Sequence, residues 1–294
     1  MNFEKTNADK LPKNSNLVNF SFLKEFYSKN PFRSFSIKYV DEGDEKYSVN
    51  GHIYTIKSNQ YLLANQFSEG FAEVDSKQEV KGICIDINPT ILSETVASFR
   101  RPDTFEADVD LDIFFNTTHF LENCYTTSQT NLGFFLNRLK TYSNREQLTE
   151  NHFNLDFYYT LCEHLVADHI PIYKQLQSIK SIKTETKKEL LRRVAKGKNF
   201  IDNHFIFLED IQQVAKEAMM SEYHFFRVFK NVYRISPYQY ILQKRLAFAK
   251  KKLLENNDSI VQIAFETNFS DVHSFSKAFK KHFGYPPSHT FNCS

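Results

Sequence analysis

DIQQVAKEAMMSEYHFFRVFK, residues 210–230, and SIVQIAFETNFSDVHSFSKAFK, residues 259–280, repeat one pattern within the last third of the chain. The two segments align with an offset of 49 residues at first and of 50 residues after one inserted residue in the second copy. A match of this length indicates a duplicated structural unit, and the amphipathic spacing of its apolar residues predicts helices.

Each copy has the pattern of a helix-turn-helix motif. A short first helix contains a small residue, Ala215 or Ala264, at which another helix can approach closely. After a short turn, Ser221 or Ser270 is predicted to cap the second helix, because a serine hydroxyl accepts main-chain N–H bonds. The acidic residues predicted in the first turn of the second helices, where they suit the helix dipole, are Glu222 and Asp271.

The second helix of each copy, which begins after Ser221 or Ser270, has two dissimilar faces. Phenylalanines four residues apart are predicted to point inward: Phe225 with Phe229, and Phe275 with Phe279. The opposite faces mix basic, hydrogen-bonding and apolar side chains, which suits the base edges and phosphates of a DNA major groove. A structural repeat with solvated lysine faces is the alternative. The residues on these faces are Tyr223, Phe226, Arg227, Lys230, Val272, His273, Ser276, Lys277 and Lys280.

The charge is divided along the chain. From Lys187 to the end there are 18 Lys and Arg against 10 Asp and Glu, a net charge of +8. The preceding residues have 19 basic against 25 acidic side chains, a net charge of −6. A basic third behind an acidic body is typical of a polyanion-binding module attached to another domain, although a solvated lysine-rich surface gives the same balance.

The cysteines and the hydropathy pattern argue against several other classes. The four cysteines are scattered and form no CxxC pair, so neither a zinc cluster nor a redox pair is indicated. The N-terminus lacks an apolar signal segment, and no apolar run is long enough to span a bilayer. The sequence therefore predicts a cytoplasmic protein with reduced thiols and no membrane partner.

The front of the chain predicts a small antiparallel barrel or sandwich. Residues 16–27 fit either a short helix or an edge strand, and residues 35–40 alternate as a strand does. Asn50-Gly51 lies between two β-branched and aromatic runs, which is a strong hairpin signal. Residues 1–16 are expected to be weakly ordered. Further strands are predicted at residues 60–67, 70–76 and 79–88.

After residue 88 the pattern becomes helical. Residues 90–99, 131–145 and 154–179 have helical spacing, and the last of these has a wide apolar face that must pack on its own domain or on a partner subunit. The segments predicted as a polar connection and as a linker or helix start are residues 100–112 and 178–188.

Residues 187–291 resemble the DNA-binding domain of the AraC/XylS family, most specifically over residues 236–288. The family has a long central helix that begins after Ser-Pro and contains YxxxxRLxxA, followed by a second motif with the phrase IAxxxGFSDxSxFSxxFKxxxGxxP. The matching residues of the central helix, predicted at 237–256, are Tyr240, Arg245, Leu246, Ala249, Leu253 and Leu254.

This resemblance places the recognition helices at residues 221–232 and 271–283 and implies roles for their exposed residues. Arg227 is expected to bind guanine, because its fork matches O6 and N7, and Phe226 and Val272 are expected to contact thymine methyls, with a core position as the alternative for Phe226. The other residues at base-reading positions are Tyr223, His273, Ser276 and Lys277. Those expected to bind phosphates are Lys230, Lys280 and Lys281.

The chain departs from the family at usual glycine positions. Met219 and Asn268 occupy the two turns, and Arg234 ends the first recognition helix where the second copy keeps Gly284. Asparagine tolerates the left-handed conformation, whereas methionine does not do so readily. The first turn is therefore expected to be either strained or different in its backbone, and the first motif to be less rigid or to bind less specifically.

For the front of the chain, the resemblance implies a cupin-like sensor barrel followed by dimerising helices. The histidines lack the clustered pattern of a metal-binding cupin, so neither a metal, a cofactor nor an enzyme activity is expected. Aromatic residues of the barrel are candidates to line an interior site for a small organic ligand. These candidates are Tyr39, Tyr54, Tyr61 and Phe67.

The sequence thus predicts an α+β protein, with an N-terminal antiparallel, cupin-like β-barrel and helical segment before an all-α double helix-turn-helix domain. The predicted boundaries are 1–130 for the sensor, 131–186 for a dimerisation or linker segment, and 187–294 for the DNA-binding domain. The expected partners are double-stranded DNA, a small-molecule effector, a second copy and RNA polymerase. The function is a transcription regulator, with activation preferred.

Three alternatives remain open at this point. In the first alternative, the front domain serves only for dimerisation. In the second, it is a cupin-type enzyme, which the missing metal triad disfavours. The third alternative is a DNA-repair regulator that accepts alkyl groups on a zinc-bound cysteine, which the scattered cysteines disfavour.

Overall fold

The computed structural model of this chain describes residues 15–99, 107–140, 153–181, 183–255 and 259–292. Its contacts divide the chain into two compact units, Met1–Tyr173 and Lys174–Ser294. The first unit contains an antiparallel sheet with helices, and the second is helical in its described parts. The separate segment predicted at residues 131–186 spans the boundary between these units and stays a prediction.

Seven antiparallel strands form one sheet in the first unit. They are β1 (Leu17–Lys29), β2 (Phe35–Glu42), β3 (Asp44–Val49), β4 (His52–Lys57), β5 (Gln60–Ala64), β6 (Gly70–Ile87) and β7 (Asn123–Thr126). The order is β4-β3-β6-β2-β5-β7, and β1 pairs along the other edge of β6. Strand β3 pairs with the first part of β6 and β2 with its last part, so the sheet curls into a nearly closed barrel.

Asn50 and Gly51 form the predicted hairpin between β3 and β4. Val49 pairs with His52, and the two residues between them have φ angles of 49° and 81°. Positive φ at both central residues is what a two-residue turn of this kind requires, and asparagine followed by glycine tolerates it. The hairpin prediction is confirmed.

Apolar side chains fill the inside of the curled sheet. Side chains alternate between the two faces of a strand, so every second residue of β2, β3 and β6 points inward. The buried residues of this barrel cluster are Phe32, Val40, Tyr47, Val49, Ile56, Leu62, Ala64, Ala72, Val74 and Val80.

A group of polar side chains is buried beside this cluster. The ammonium of Lys38 lies 2.7 Å from Cys84 Sγ and 3.6 Å from Asp86 Oδ1, and the Tyr47 hydroxyl donates to Glu45 Oε2 at 2.6 Å. Burial alone lowers the pKa of Lys38, but Cys84, Asp86 and Glu45 together raise it above its usual range. Burial raises the pKa of the Cys84 thiol to about 11.

Helices cover the other face of the sheet. In the first unit these are α1 (Pro89–Ser98), α2 (Ala107–Phe115) and α3 (Asn131–Leu139), together with most of α4 (Leu155–Ser178). Phe35 of β2 packs on Phe115 of α2 and on Phe120, with ring centroids 6.0 and 4.9 Å apart. His169 of α4 contacts both Phe115 and Phe120, and burial lowers its pKa to about 4. This histidine is a packing residue.

Two of the tyrosines proposed to line the barrel interior lie elsewhere. Tyr39 and Tyr61 point away from the barrel cluster, because their strand neighbours Val40 and Leu62 point into it. Tyr39 donates to Asn137 Oδ1 at 3.3 Å, and the Tyr61 hydroxyl lies 2.8 Å from Thr130 Oγ1. Phe67 is 47% exposed, whereas Tyr54 does pack against the barrel cluster.

Other predictions for the first unit need correction. Residues 70–76 and 79–88 form one strand, β6, because the stretch between Asp75 and Val80 is an irregularity opposite β1 and not a turn. For residues 16–27 the edge-strand alternative is confirmed, since β1 covers Leu17–Lys29 and pairs with β6. The polar connection predicted to reach residue 112 ends earlier, since α2 begins at Ala107. Residues 1–14, 100–106 and 141–152 lie outside the described ranges.

Six helices make up the second unit. They are α5 (Thr184–His204), α6 (Ile211–Glu217), α7 (Glu222–Tyr233), α8 (Pro237–Glu255), α9 (Ile260–Glu266) and α10 (Val272–Phe283) within the described residues. The predicted central helix is α8, and the predicted recognition helices are α7 and α10. A short 3-10 segment, Pro287–Asn292, follows α10.

Candidate nucleic-acid interface

The first helix-turn-helix motif consists of α6 and α7. The Asp210 side chain caps α6 by accepting a bond from Gln213 N at 3.2 Å. The Ser221 hydroxyl caps α7 by accepting a bond from His224 N at 3.4 Å. The Ser221 cap and the acidic first turn at Glu222 are therefore confirmed.

The second motif consists of α9 and α10. Asp271, and not Ser270, caps α10 by accepting a bond from Ser274 N at 2.7 Å, so the predicted Ser270 cap is wrong. The inserted residue of the second copy lies between the turn and the cap, which places Ser270 one position too early. The main-chain N–H and the hydroxyl of Ser274 hold the pKa of Asp271 below its usual range.

Both first helices end in the same left-handed turn. Met219 and Asn268 have φ angles of 51° and 59°. Met220 N donates to Ala215 O at 2.9 Å, and Met219 N donates to Lys216 O at 3.0 Å, which is the hydrogen-bond pattern of a Schellman motif. The first turn therefore keeps the backbone of the second and is strained, because methionine occupies a conformation that favours glycine.

The two recognition helices also end alike. Arg234 and Gly284 have φ angles of 64° and 86°, and their N–H groups donate to Lys230 O and Lys280 O at 2.9 Å. Arginine at this position adds a second strained residue to the first motif. The backbones of the two motifs are thus closely matched, although their sequences differ at the left-handed positions.

The phenylalanine pairs predicted to point inward do so. Phe225, Phe229, Phe275 and Phe279 are fully buried. Gly197 of α5 lies against Phe225, since a Cβ on Gly197 would be 2.4 Å from Phe225 Cε2. The predicted close-approach residues, Ala215 and Ala264, are also buried.

The outward face of α7 carries most of its predicted residues in exposed positions. Tyr223 is 76% exposed, and its ring lies 5.9 Å from the Arg227 guanidinium. Arg227 and Lys230 are exposed. Phe226 is half-buried and packs near Tyr238, with ring centroids 6.4 Å apart, so it is partly a packing residue. Tyr238, which sequence reasoning did not select, extends this surface into α8.

The outward face of α10 is more basic. His273, Lys277, Lys280 and Lys281 are exposed. Val272 and Ser276 are half-buried, and Val272 packs against the apolar cluster of the second motif. The residues of this second-motif cluster, fully buried, are Leu246, Ala249, Leu253, Ile263, Ala264, Phe275 and Phe279.

Several basic side chains elsewhere in this unit are engaged in ion pairs. Lys198 and Lys244 lie 2.7 and 2.8 Å from Asp202, which also accepts a bond from Tyr240, and Lys196 lies 2.9 Å from Glu217. In contrast, within the described part of the chain no ion pair joins the basic residues of the α7 and α10 faces to a carboxylate. These cations are available for an external anion: Arg227, Lys230, Lys277, Lys280 and Lys281.

Among the described residues, no group of three or more His, Cys, Asp and Glu side chains is placed to hold a metal ion. Of the helices in the described ranges, none combines the length and hydrophobicity that a membrane crossing needs.

Known proteins are similar in sequence to this part of the chain. Residues 214–292 match a protein family described as "Helix-turn-helix domain". The probable transcriptional regulator LumQ of Photobacterium leiognathi is 32% identical over 90 residues, which are 31% of this chain and 36% of LumQ. The regulator ExsA of Pseudomonas aeruginosa is 31% identical over 97 residues, 33% of this chain and 35% of ExsA. The chain thus spans about a third of the length of these relatives.

Solved structures give two kinds of similarity. An AraC-type regulator from Chromobacterium violaceum is 24% identical, with a TM-score of 0.33, over 35% of this chain and 91% of its own. ToxT from Vibrio cholerae is 15% identical, with a TM-score of 0.38, over 96% of this chain and 97% of its own.

The geometry and the sequence matches agree on the class of this domain. Two helix-turn-helix motifs joined by one long helix, with exposed basic second helices, make up a DNA-binding domain. The match of residues 214–292 to a helix-turn-helix domain family agrees with the resemblance to the AraC/XylS DNA-binding domain noted in the sequence.

Proposed function

We propose that the protein regulates transcription by reading a bipartite site in double-stranded DNA. Helices α7 and α10 would enter successive major grooves, which are about 34 Å apart on one side of the duplex. The observation that carries this proposal is the pair of matched motifs with unpaired, exposed cations on both second helices. One chain then carries two readers, the recognition helices α7 and α10.

The two faces suit different parts of the DNA. Arg227 is exposed beside Tyr223 and can present its fork to a guanine. The exposed edge of Phe226, and that of Val272, can contact thymine methyls, while His273, Ser276 and Lys277 offer hydrogen bonds to base edges. The phosphate-binding roles fall to Lys230, Lys280 and Lys281 at the ends of these helices.

The test is a titration of the full-length protein against duplexes that it selects from a randomised DNA pool. Arg227→Ala should weaken binding about 5- to 150-fold and relax the preference at one base pair, because a bidentate contact to guanine is lost. Lys280→Ala should instead weaken binding to all sequences alike and make the salt dependence shallower by about one unit of slope. Lys251→Ala, in α8, is the matched control for loss of one positive charge.

If no sequence is enriched by the wild-type protein, or if Arg227→Ala and Lys251→Ala behave alike, this assignment is wrong. Lys277→Ala tests the second reader in the same assay. Its effect should map to a base pair in the other half-site.

The finer parts of the proposal concern the rest of the protein. We propose that it is an activator that acts as a homodimer, contacts RNA polymerase and responds to a small-molecule effector through its barrel. The buried group around Lys38 supports a sensing role, because apolar side chains of similar volume would usually be at least as stable there. No enzyme activity is proposed.

A second candidate gives the first unit a dimerisation role only. The packed barrel cluster and the existing partners of Lys38, Cys84 and Asp86, favour this candidate. Sedimentation and DNA titration of the full chain with Lys38→Met distinguish the two. If the barrel only dimerises, metabolites from a cell extract should change neither the sedimentation nor the DNA affinity of the wild-type protein or of the variant. If the barrel is a sensor, metabolites should change the DNA affinity of the wild-type protein, and the variant should lose this response.

A further inference from the structure

Arg245 lies where the two helix-turn-helix motifs approach each other. It projects from the middle of α8 and donates to Phe205 O at 2.8 Å, to Leu208 O at 2.5 Å and to Ile206 O at 3.5 Å. On its other side it donates to Asn268 O at 3.5 Å. One side chain thus binds the segment that enters the first motif and the turn inside the second.

The four carbonyl groups lie at or just beyond the C-terminal ends of two helices. Phe205, Ile206 and Leu208 follow the C-terminal end of α5, and Asn268 follows that of α9. The last carbonyl groups of a helix lack partners within it, and they carry the negative end of the helix dipole. A guanidinium beside these two ends is favoured by both dipoles and satisfies the Phe205 carbonyl group at the C-cap of α5 together with carbonyl groups of the segments that follow the two helices. Its planar fork can point donors in several directions at once.

The apolar cores of the two motifs are separate. The second-motif cluster contains residues of the later half of α8 and of α9 and α10. The earlier half of α8 belongs to the first motif, where Tyr240 packs on Phe229 with ring centroids 5.8 Å apart. Arg245 lies between these halves and is only half-buried, and burial lowers its pKa.

A small cleft separates the motifs beside Arg245, so apolar packing does not fill the space between them. Its walls come from the entry to α6, from α8 and from the second turn. Its apolar lining comes from Leu208, Tyr238, Ile241, Leu242 and Phe269, and Glu209, Asp210 and Asn268 line it beside Arg245. With a cleft at this point, the hydrogen bonds of Arg245 add to α8 itself a second connection, between the entry to one motif and the turn of the other.

We propose that Arg245 is a positioning residue that fixes the mutual orientation of α7 and α10, and thereby selects the spacing between the two half-sites. This inference rests on the proposed function. It does not require Arg245 to touch DNA. Loss of the Arg245 hydrogen bonds should leave α7 and α10 each able to bind its own half-site. The distance and angle between the two helices should become more variable.

The experiment varies the DNA and the protein together. The duplexes are the site selected by the wild-type protein, the same site with one or two base pairs inserted between its halves, and a single half-site. One inserted base pair moves the second half by about 3.4 Å and rotates it by about 34°. Arg245→Met removes the donors, Arg245→Lys keeps the charge without the fork, and Lys251→Met is a charge-matched control on the same helix, where Lys251 is exposed.

The wild-type protein and Lys251→Met should lose about tenfold or more in affinity for each inserted base pair, as a rigid pair of readers requires. Arg245→Met should lose only about two- to threefold per insertion, and Arg245→Lys should fall between these values. Affinity for the single half-site should stay within about twofold of wild type, which a general loss of folding would not allow.

Two results overturn the inference: an unchanged spacing penalty in Arg245→Met, or an equal loss on the single half-site and on all spacings in both Arg245 variants. If Arg245→Met does not fold, Arg245→Lys decides between these outcomes. If the wild-type protein selects no site at all, the proposed function fails first, and that result is distinct from either of these.

Discussion

Met219 offers a quantitative test of the strain in the first motif. This residue has a φ angle of 51°, and its side chain is 63% exposed. The left-handed conformation costs an L-residue about 1–2 kcal/mol, whereas glycine adopts it freely. Met219→Gly therefore removes the strain and loses little apolar contact.

Part of this gain is offset in the unfolded state. Glycine gives the unfolded chain more conformational freedom, which lowers stability by about 0.4–1 kcal/mol. The net result expected for Met219→Gly is an increase of about 0.5–1 kcal/mol in the free energy of unfolding. For a unit of this size, that is a rise of roughly 2–4 °C in its midpoint temperature.

The assay is differential scanning calorimetry of the full-length protein, in which the two units are followed as separate transitions. Asn268→Gly is the matched control, because Asn268 has nearly the same φ angle of 59° but asparagine tolerates it. Asn268→Gly should increase the free energy of unfolding clearly less than Met219→Gly does. Met219→Asn should increase it by nearly as much as Met219→Gly. A decrease with Met219→Gly, or equal shifts at both sites, would refute this reasoning.

Two further predictions concern packing and pH. Phe279→Ala should lower the free energy of unfolding of the second unit by about 3–5 kcal/mol, because the ring is fully buried among aromatic neighbours. Calorimetry measures this change, and a loss under about 1 kcal/mol would contradict the buried position of this ring. The pKa of His169 is lowered to about 4 by burial, so the unfolded state binds a proton between pH 6.5 and 4 while the folded state does not. The free energy of unfolding of the first unit should therefore decrease as the pH is lowered from 6.5 to 4, by up to about 1.4 kcal/mol per pH unit. In denaturant titrations, His169→Gln should make this pH dependence shallower. Equal slopes in both proteins would show that His169 is not the titrating group.

The recognition helices could be predicted closely because their signals are local. Capping residues, helical spacing and the buried phenylalanines all lie within a dozen residues, and α7 and α10 begin within one residue of the predicted positions. The Ser270 cap failed because alignment cannot place a single inserted residue within a short turn. Two neighbouring residues, Ser270 and Asp271, can both cap a helix.

The front of the chain was less predictable because strand pairing is not local. The polar stretch after Asp75 has the composition of a turn, yet β1 pairs with β6 on both sides of it. Which strand face becomes the interior depends on how the whole sheet curls. For that reason Tyr39 and Tyr61 were assigned to the wrong face.

The linking role of Arg245 was also outside the reach of sequence reasoning. The family resemblance marks the residue, but its acceptor carbonyl groups are 23 to 40 residues away along the chain. Main-chain carbonyl groups are present at every residue and leave no trace in the sequence. Only the folded arrangement shows which of them the guanidinium binds.

The most direct test of the central claim is a hydroxyl-radical and methylation-interference footprint of the full-length protein on its selected DNA. Two readers in one chain predict two protected major-groove segments about 10–10.5 base pairs apart on one side of the duplex, for each bound protomer. Arg227→Ala should remove contacts in one segment, and Lys277→Ala should remove contacts in the other. A single protected segment per protomer, or loss from the same segment with both variants, would contradict the account.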